Sequence, residues 1–260
     1  MTAIESRQFL KADLWREWAS LETDQRKGLP PPAVEKPIPP DAQLVDLVPP
    51  ANFTVGQMPL IEALRRRRSR RSFTGEPLTM EALSFLLWAT QGVRRDEAGV
   101  PVQRGAAVLR TTPSGGARHP FETYLVIRNI EELAPGLYRY LPLTHKLCFL
   151  QPYSALAGTV ERLWARQGFL EQAAVIFIWT AIPYRTEWRY TVVAAKIIAQ
   201  DTGHLCQNLY LACEAIGAGM CAIGAYDQQD ADAVVGVDGE EEFTVYMAPV
   251  GKYPPSLVEC

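Results

Sequence analysis

Six arginines surround Ser69 in the segment RRRRSRRSF, residues 65–73. Guanidinium groups two and four residues apart around a hydroxyl are able to converge on one phosphate, because each planar fork donates two parallel hydrogen bonds. The segment precedes an apolar helical pattern, so it lies inside a folded region and not on a tail. Three other interpretations remain open from composition alone: a solvated helix face, a nuclear-localisation-like patch and a nucleic-acid contact.

Two glycine-rich segments further along the chain also suit close contact with a ligand. TPSGGARHPFETY covers residues 112–124, and AIGAGMCAIGAY covers residues 215–226. Adjacent glycines present no Cβ, so the backbone is able to approach a flat ligand. An ordinary turn explains the first segment equally well, and a helix end explains Gly217. No GxGxxG pattern follows a predicted strand, so a Rossmann dinucleotide domain is not predicted.

Other kinds of site and partner are disfavoured by composition. The three histidines are scattered and form no HExxH pattern, so no metal site is expected. A net charge of −3 argues against general nucleic-acid or anionic-membrane binding, and the longest apolar run, residues 173–182, is too short to span a bilayer. Five cysteines without a CxxC pair, and an N-terminus without a signal-peptide pattern, predict reduced thiols in a cytoplasmic protein.

The first 57 residues differ from the rest of the chain. Residues 8–21 carry apolar side chains at helical spacing, which predicts a helix. Eight of the 20 prolines fall between Leu29 and Pro50, which predicts an extended arm. We therefore divide the chain into an N-terminal helix and proline-rich arm, residues 1–57, and a main domain, residues 58–260. We expect the arm to reach across onto a partner chain.

Helices and strands are mixed in the main domain. Strands are predicted at 121–128, in a hairpin over 136–150, at 173–182 and at 243–251. Helices are predicted after Pro59, over 80–91 behind the cap Thr79, over 191–216 and between Asp227 and Gly236. Because no regular βαβ rhythm appears, the fold class is predicted as α+β.

Taken together, the arginine segment and the two glycine-rich segments resemble the nitroreductase superfamily of flavoproteins. Residues 67–73 resemble its opening RRSxRxF pattern, and residues 215–226 resemble its ALGLG…IG segment. The strings LSFLLWATQGV, RTTPSGGARHPFETY and DTGHLCQNLYLACEAIGAG are most similar to SagB-type dehydrogenases, which include azoline oxidases. The resemblance implies an α+β fold with a mixed central sheet flanked by helices. It also implies an interlocked homodimer with two FMN molecules at the interface.

The resemblance also assigns cofactor contacts to particular residues. Phosphate, ribityl and N1–C2 contacts fall on Arg67, Arg68, Ser69 and Arg71, with Lys252 as a further phosphate ligand. The isoalloxazine loop corresponds to Pro113, Ser114, Gly115 and Gly116, and the N5 edge to Ile223, Gly224 and Ala225.

Two positions depart from the pattern of these relatives. Ala117 stands where classical nitroreductases carry an asparagine, and Arg189-Tyr190 stands where azoline oxidases carry Lys-Tyr. Arginine keeps its proton, so Arg189 cannot act as the base that a desolvated lysine could become. The catalytic candidates are Arg71, Arg189 and Tyr190. For Tyr190, core or interface packing remains open, and for Arg189 a surface ion pair remains open.

Three functions are compatible with these features. The first is an NAD(P)H-dependent FMN reductase of small electron-poor molecules. The second is an FMN-dependent dehydrogenase of the azoline type that passes electrons to O2 in a natural-product pathway. The third is an arginine-rich binding protein without redox activity.

Overall fold

The computed structural model describes residues 2–164 and 168–254, and its centre is a seven-stranded antiparallel sheet. The strand order is β1-β6-β5-β4-β7-β9-β8. The strands of this sheet are β1 (Leu44–Asp46), β4 (Phe121–Ile127), β5 (Gly136–Leu141), β6 (Lys146–Pro152), β7 (Val175–Ala181), β8 (Gly219–Met220) and β9 (Phe243–Gly251). A separate small hairpin pairs β2 (Gln103–Arg104) with β3 (Ala107–Val108).

Helices cover both faces of this sheet. The α-helices of the described residues are α1 (Ala3–Ser6), α2 (Leu60–Arg66), α3 (Met80–Gln91), α4 (Tyr153–Trp164), α5 (Tyr184–Tyr190), α6 (Ala194–Ala215) and α7 (Gln228–Val235). On one face α3 and α6 pack on Leu125 and Phe177, and on the other α4 and α7 pack on Val126 and Ile176. Alternate residues of β4 and β7 therefore enter two different cores, which is why these strands are apolar almost throughout.

The α+β class and the helix-flanked sheet are confirmed. Thr79 caps α3 by accepting from the Ala82 N–H at 3.1 Å, and α7 runs from its cap Asp227 to Gly236, which has a φ of 73°. One detail differs, because the sheet was expected to be mixed and its seven strands pair antiparallel throughout. Among the described residues, parallel pairing is confined to isolated bridges, such as Ser69 with Met220.

The predicted helix over residues 8–21 is wrong. The segment forms two short 3₁₀ turns, Arg7–Leu10 and Asp13–Glu17, and Leu10 and Leu14 remain 70% and 52% exposed. The carbonyls of Leu10 and Lys11 accept from the ammonium of Lys196 instead of continuing a helix. An amphipathic pattern needs an apolar surface to cover, and this segment finds little of one.

Residues 33–46 of the proline-rich arm lie on their own chain, and contact of the arm with a partner chain stays a prediction. Three buried arginines donate to carbonyls of the arm: Arg110 to Val34 at 2.9 Å, Arg185 to Ala33 at 2.9 Å and Arg139 to Pro37 at 2.7 Å. Strand β1 then joins the edge of the sheet beside β6. These residues of the arm thus form a strap over the sheet.

Candidate functional site

The arginine segment begins where α2 ends and continues as extended backbone. Ser69 forms a bridge with Met220, and the Arg70 N–H donates to the Met220 carbonyl at 2.8 Å. Because side chains alternate in extended backbone, Arg70 points inward while Ser69 and Arg71 stay exposed. Arg70 is 7% exposed and lies 3.4 Å from the Glu214 carboxylate. One of the six arginines is therefore structural.

Tyr210 on α6 joins the arginine segment to the second glycine-rich segment. Its hydroxyl lies 2.8 Å from Ser69 Oγ and accepts the Ala222 N–H at 3.0 Å. The guanidinium of Arg67 stacks 5.3 Å from the centre of the Tyr210 ring. The Tyr210 hydroxyl accepts from Ala222 and still has its own hydrogen and a second lone pair, so either hydroxyl can donate in the pair with Ser69. When Tyr210 donates, the Ser69 hydrogen is available to a ligand. Sequence reasoning missed Tyr210, whose only signal was its place in a long helix.

In the segment after Ala222, Ile223 is bound to the sheet and Gly224 is exposed to solvent. Ile223 is buried and exchanges two backbone hydrogen bonds with Met247, at 2.8 and 3.2 Å. Gly224 follows at the edge of a cavity of about 810 Å³, where an added Cβ would meet only Tyr246, at 3.6 Å. This volume is that of a small-molecule site.

The wall and rim of this first cavity differ in character. Its wall includes the small residues Ala195, Ala199 and Gly203 of α6. Its rim carries the carboxylates of Glu187, Glu240 and Glu241. Burial and the neighbouring Glu241 raise the pKa of Glu187.

The first glycine-rich segment is held by Asp201, also on α6. Ser114 Oγ donates to Asp201 Oδ2 at 2.6 Å, and the Gly115 N–H donates to the same carboxylate at 3.0 Å. Burial raises the pKa of Asp201, and these two hydrogen bonds oppose that shift. A Cβ on Gly115 would fall 2.4 Å from Cγ2 of Ile197, so glycine is required for the loop to reach the helix. Close packing thus explains this glycine.

The two clusters lie on opposite faces of α6. Asp201 and Tyr210 are nine residues apart, which corresponds to about 13 Å along the axis and about half a turn around it. Within one chain, the structure therefore brings Arg67, Ser69 and the segment at Ile223 together. It does not bring the loop at Ser114 to them.

The remaining predicted cofactor ligands near the arginine segment are Arg68, Arg71 and Lys252. Arg68 and Arg71 are exposed, and neither they nor Arg67 form an ion pair with a carboxylate among residues 2–164 and 168–254. Lys252 follows β9, accepts the Thr74 N–H on its carbonyl at 2.9 Å, and lies 3.6 Å from Glu76. Three unpaired guanidinium groups around a hydroxyl form a donor set suited to a phosphate.

Arg189 and Tyr190 lie against the loop at Gly116. A Cβ on Gly116 would stand 2.6 Å from the Tyr190 hydroxyl and 3.0 Å from Arg189 Cδ. The Tyr190 ring packs against Trp15 and Trp18, as the packing interpretation predicts. No carboxylate pairs with Arg189 in the part of the chain that the structure describes, so the surface ion pair is not found.

His119 and the four described cysteines are buried. Burial, reinforced by Arg110 and Arg118, lowers the pKa of His119 to about 2, so this side chain is neutral. Cys148, Cys206, Cys213 and Cys221 are buried free thiols. No cluster of three or more potential metal ligands occurs within the described ranges, and no described helix has the length and apolarity to cross a bilayer.

Comparison with known proteins gives a consistent family. The sequence profile of the Nitroreductase family matches residues 64–252. A relative described as a nitroreductase, from Methanocaldococcus jannaschii, is 27% identical over 198 residues, or 76% of this chain and 93% of the relative. The crystal structure of a protein described as a nitroreductase, from Ralstonia eutropha JMP134, has a TM-score of 0.64 and 25% identity, covering 87% of this chain and 99% of its own.

A likeness of fold extends to the NADPH:FMN oxidoreductase of Vibrio harveyi complexed with NAD⁺. The TM-score is 0.50 at 18% identity, over 75% of this chain and 68% of that one. Because the family profile spans most of the chain and includes the arginine segment, both glycine-rich segments and Tyr210, the chain belongs to the nitroreductase family.

Proposed function

We propose that this protein is an FMN-dependent oxidoreductase that works as a homodimer. The observation that carries the proposal is the Tyr210 hydroxyl, which holds Ser69 beside the backbone of the Ala222–Gly224 segment. One end of this cluster offers guanidinium groups to a phosphate, and the other opens into the first cavity. This arrangement suits a ligand with a phosphate at one end and a flat ring at the other.

The donor set favours a mononucleotide. Arg67, Arg68 and Ser69 would hold one phosphate, with Lys252 at the margin, and the described residues offer no second phosphate loop of this kind. When bound, FMN supplies a hydride acceptor at its N5 atom. The fixed positive charge of Arg71 would stabilise negative charge on the N1–C2 edge of the reduced ring, by the logic of an oxyanion hole.

A second copy of the chain would complete the site. The loop at Ser114 and the cluster at Ser69 lie on opposite faces of α6, so we assign the loop to the flavin of the partner. Apolar side chains stay exposed beside these elements: Val192, Ala195 and Ala199 on and near α6, and Leu60, Ile61 and Leu64 on α2. Exposed apolar patches of this kind mark interfaces.

Among the reactions open to such an enzyme, we favour reduction of small electron-poor molecules with NAD(P)H. The name of the Vibrio harveyi oxidoreductase includes both NADPH and FMN, which supports this choice. Azoline oxidation is the alternative, since the sequence resembles SagB-type dehydrogenases. Arg189 weighs against it, because an arginine beside the loop keeps its proton and cannot act as a base.

The test begins with the purified protein. We expect a yellow protein that releases FMN on heating, identified by chromatography, and whose colour is bleached by NADH or NADPH without oxygen. Recovery of FAD would contradict the cofactor assignment. A colourless protein that binds nucleic acid would instead support the non-redox alternative.

A further inference from the structure

A second cavity, of about 640 Å³, lies beside the loop at Ser114. Its walls come from that loop, from the β2–β3 hairpin and from the end of α5. Three arginines line it: Arg104 of the hairpin, Arg118 after the loop and Arg189 of α5. No Asp or Glu is among its described lining residues.

The positive charge in this cavity is not balanced by the protein. Arg118 is 4% exposed, and its Nε donates to the Arg185 carbonyl at 2.8 Å while its guanidinium stacks 4.8 Å from the ring centre of Trp188. Within the described ranges no carboxylate pairs with Arg104, Arg118 or Arg189. Burial first, and then the like charges of Arg189 and Arg185, lower the pKa of Arg118. A buried cation without a carboxylate partner is costly, so the cavity favours a counter-ion.

The first cavity has the opposite character. Glu187, Glu240 and Glu241 line its rim, so an anionic group is repelled there. The two cavities therefore favour groups of opposite charge.

We propose that the second cavity binds an anionic group, a carboxylate or a phosphate, carried by a molecule that reacts at the flavin. This inference rests on the proposed function, because it places the loop at Ser114 beside a flavin ring. Arg189 then acts as an anchor where related dehydrogenases carry a lysine. Its planar fork matches two oxygens of one anion.

The N-terminal segment closes this cavity from one side. Gln25 lines it, and its N–H donates to the Trp188 carbonyl at 2.9 Å. Trp188 Nε1 donates in turn to the Leu29 carbonyl at 3.0 Å. The residues before the family profile thus form part of the anion site.

The probes are 4-nitrobenzoate and 4-nitrobenzamide, which share a ring and a nitro group and differ in charge. Each is titrated into the oxidised holoprotein and followed by the flavin absorbance. We expect the benzoate to bind at least about tenfold more tightly, as charge-assisted hydrogen bonds of this type allow. Arg189→Gln should abolish the preference, Arg104→Gln should weaken it, and Arg189→Lys should retain part of it. Arg162→Gln, on the exposed face of α4, is the control and should leave the preference unchanged.

A second arm identifies the source of the anion. NADPH and NADH are compared in anaerobic reduction of the flavin by the same variants. If Arg189→Gln abolishes a preference for NADPH but not the preference for nitrobenzoate, the anion is the 2′-phosphate of the dinucleotide. The reverse pattern assigns it to the carboxylate of the second substrate.

Two outcomes overturn the anion site. Equal binding of both probes and equal use of both dinucleotides by the wild-type holoprotein would remove it. A loss of FMN affinity in Arg189→Gln, without a change in either preference, would assign these arginines to the cofactor itself. If the protein carries no flavin, the proposed function fails, and the two probes are then compared by quenching of tryptophan fluorescence. Equal quenching would reject the cavity as well.

Discussion

Tyr210 has two hydrogen-bond partners that are distant in sequence, and its hydroxyl is the link between them. Ser69 lies 141 residues before it and Ala222 lies 12 residues after it. No local sequence pattern predicts these hydrogen bonds, because they depend on how α6 packs against the rest of the fold. The arginines and glycines were identified because their types are unusual, whereas a tyrosine in a helix is not.

Tyr210→Phe should weaken FMN binding by about tenfold while keeping the ring on which Arg67 stacks. The change leaves the Ala222 N–H without its acceptor and Ser69 without its partner, a loss of about 1–3 kcal/mol. Flavin titration and urea unfolding measure the two effects. Tyr138→Phe is the matched control, since Tyr138 lies on β5 and the change removes a single hydrogen bond to the Ala134 carbonyl. Equal flavin affinity in the two variants would contradict the role of Tyr210.

Arg71 and Ser69 should have separable effects. Arg71→Ala should lower the flavin midpoint potential, by about 30 mV for each 1.4 kcal/mol lost in two-electron reduction. Arg71→Lys should restore most of that shift, while Ser69→Ala should cost about 1 kcal/mol of FMN binding without changing the potential. Arg65→Ala, in the same arginine run, is the control. The midpoint potential is measured by dye-equilibrated redox titration. Equal shifts in Arg65→Ala and Arg71→Ala would mean that net charge, and not a contact of Arg71 with the flavin, sets the potential.

His119 should make stability sensitive to acid. Its folded pKa of about 2 lies below the ordinary 6.5, so the unfolded chain binds more protons between these values. The free energy of unfolding then falls as pH drops below 6.5, by at most about 1.4 kcal/mol per pH unit from this group. His119→Asn suits the positive φ of 46° and should lose less stability between pH 7 and pH 5 in urea unfolding. An identical pH slope in both proteins would contradict the assignment.

At the scale of elements, the predictions were correct where capping residues mark the ends of a helix or where a continuous apolar run marks a buried strand. Thr79 and Gly92 enclose α3, Asp227 and Gly236 enclose α7, and the apolar run at 173–182 contains β7. The helix over residues 8–21 failed because its pattern required a surface that the fold does not supply. In α6 the helix was correct, but its apolar face was only partly buried, and Val192 remains 58% exposed beside it.

Gly115→Ala tests whether the loop must approach α6 this closely. A Cβ 2.4 Å from Ile197 forces the helix and loop apart, which should cost about 1–3 kcal/mol of stability. Gly158→Ala on the exposed face of α4, where a Cβ meets nothing, should instead stabilise the protein by about 0.5–1 kcal/mol. Thermal unfolding of both variants measures the contrast. A neutral Gly115→Ala would mean that the loop is free to shift.

At the scale of the whole molecule, the separation of the two clusters on α6 leads to a prediction about assembly. Ala199→Arg places a charge on the exposed small-residue face, and a buried unpaired charge is expensive. We expect this variant to be a colourless monomer by light scattering, while Ala155→Arg on the exposed face of α4 stays dimeric and yellow. A wild-type protein that is a stable monomer with bound flavin would refute the shared site.

The strap over the sheet is synthesised well before the arginines that hold it. Ala33 leaves the ribosome 152 residues before Arg185, the side chain that binds its carbonyl, and Pro37 emerges 102 residues before Arg139. Contacts so distant in sequence form only after long loops have closed. The strap therefore lacks the complete set of these arginine contacts until β7 and α5 have been synthesised. We expect its docking to be a late step in folding, so the earliest part of the chain to be synthesised is among the last to be secured.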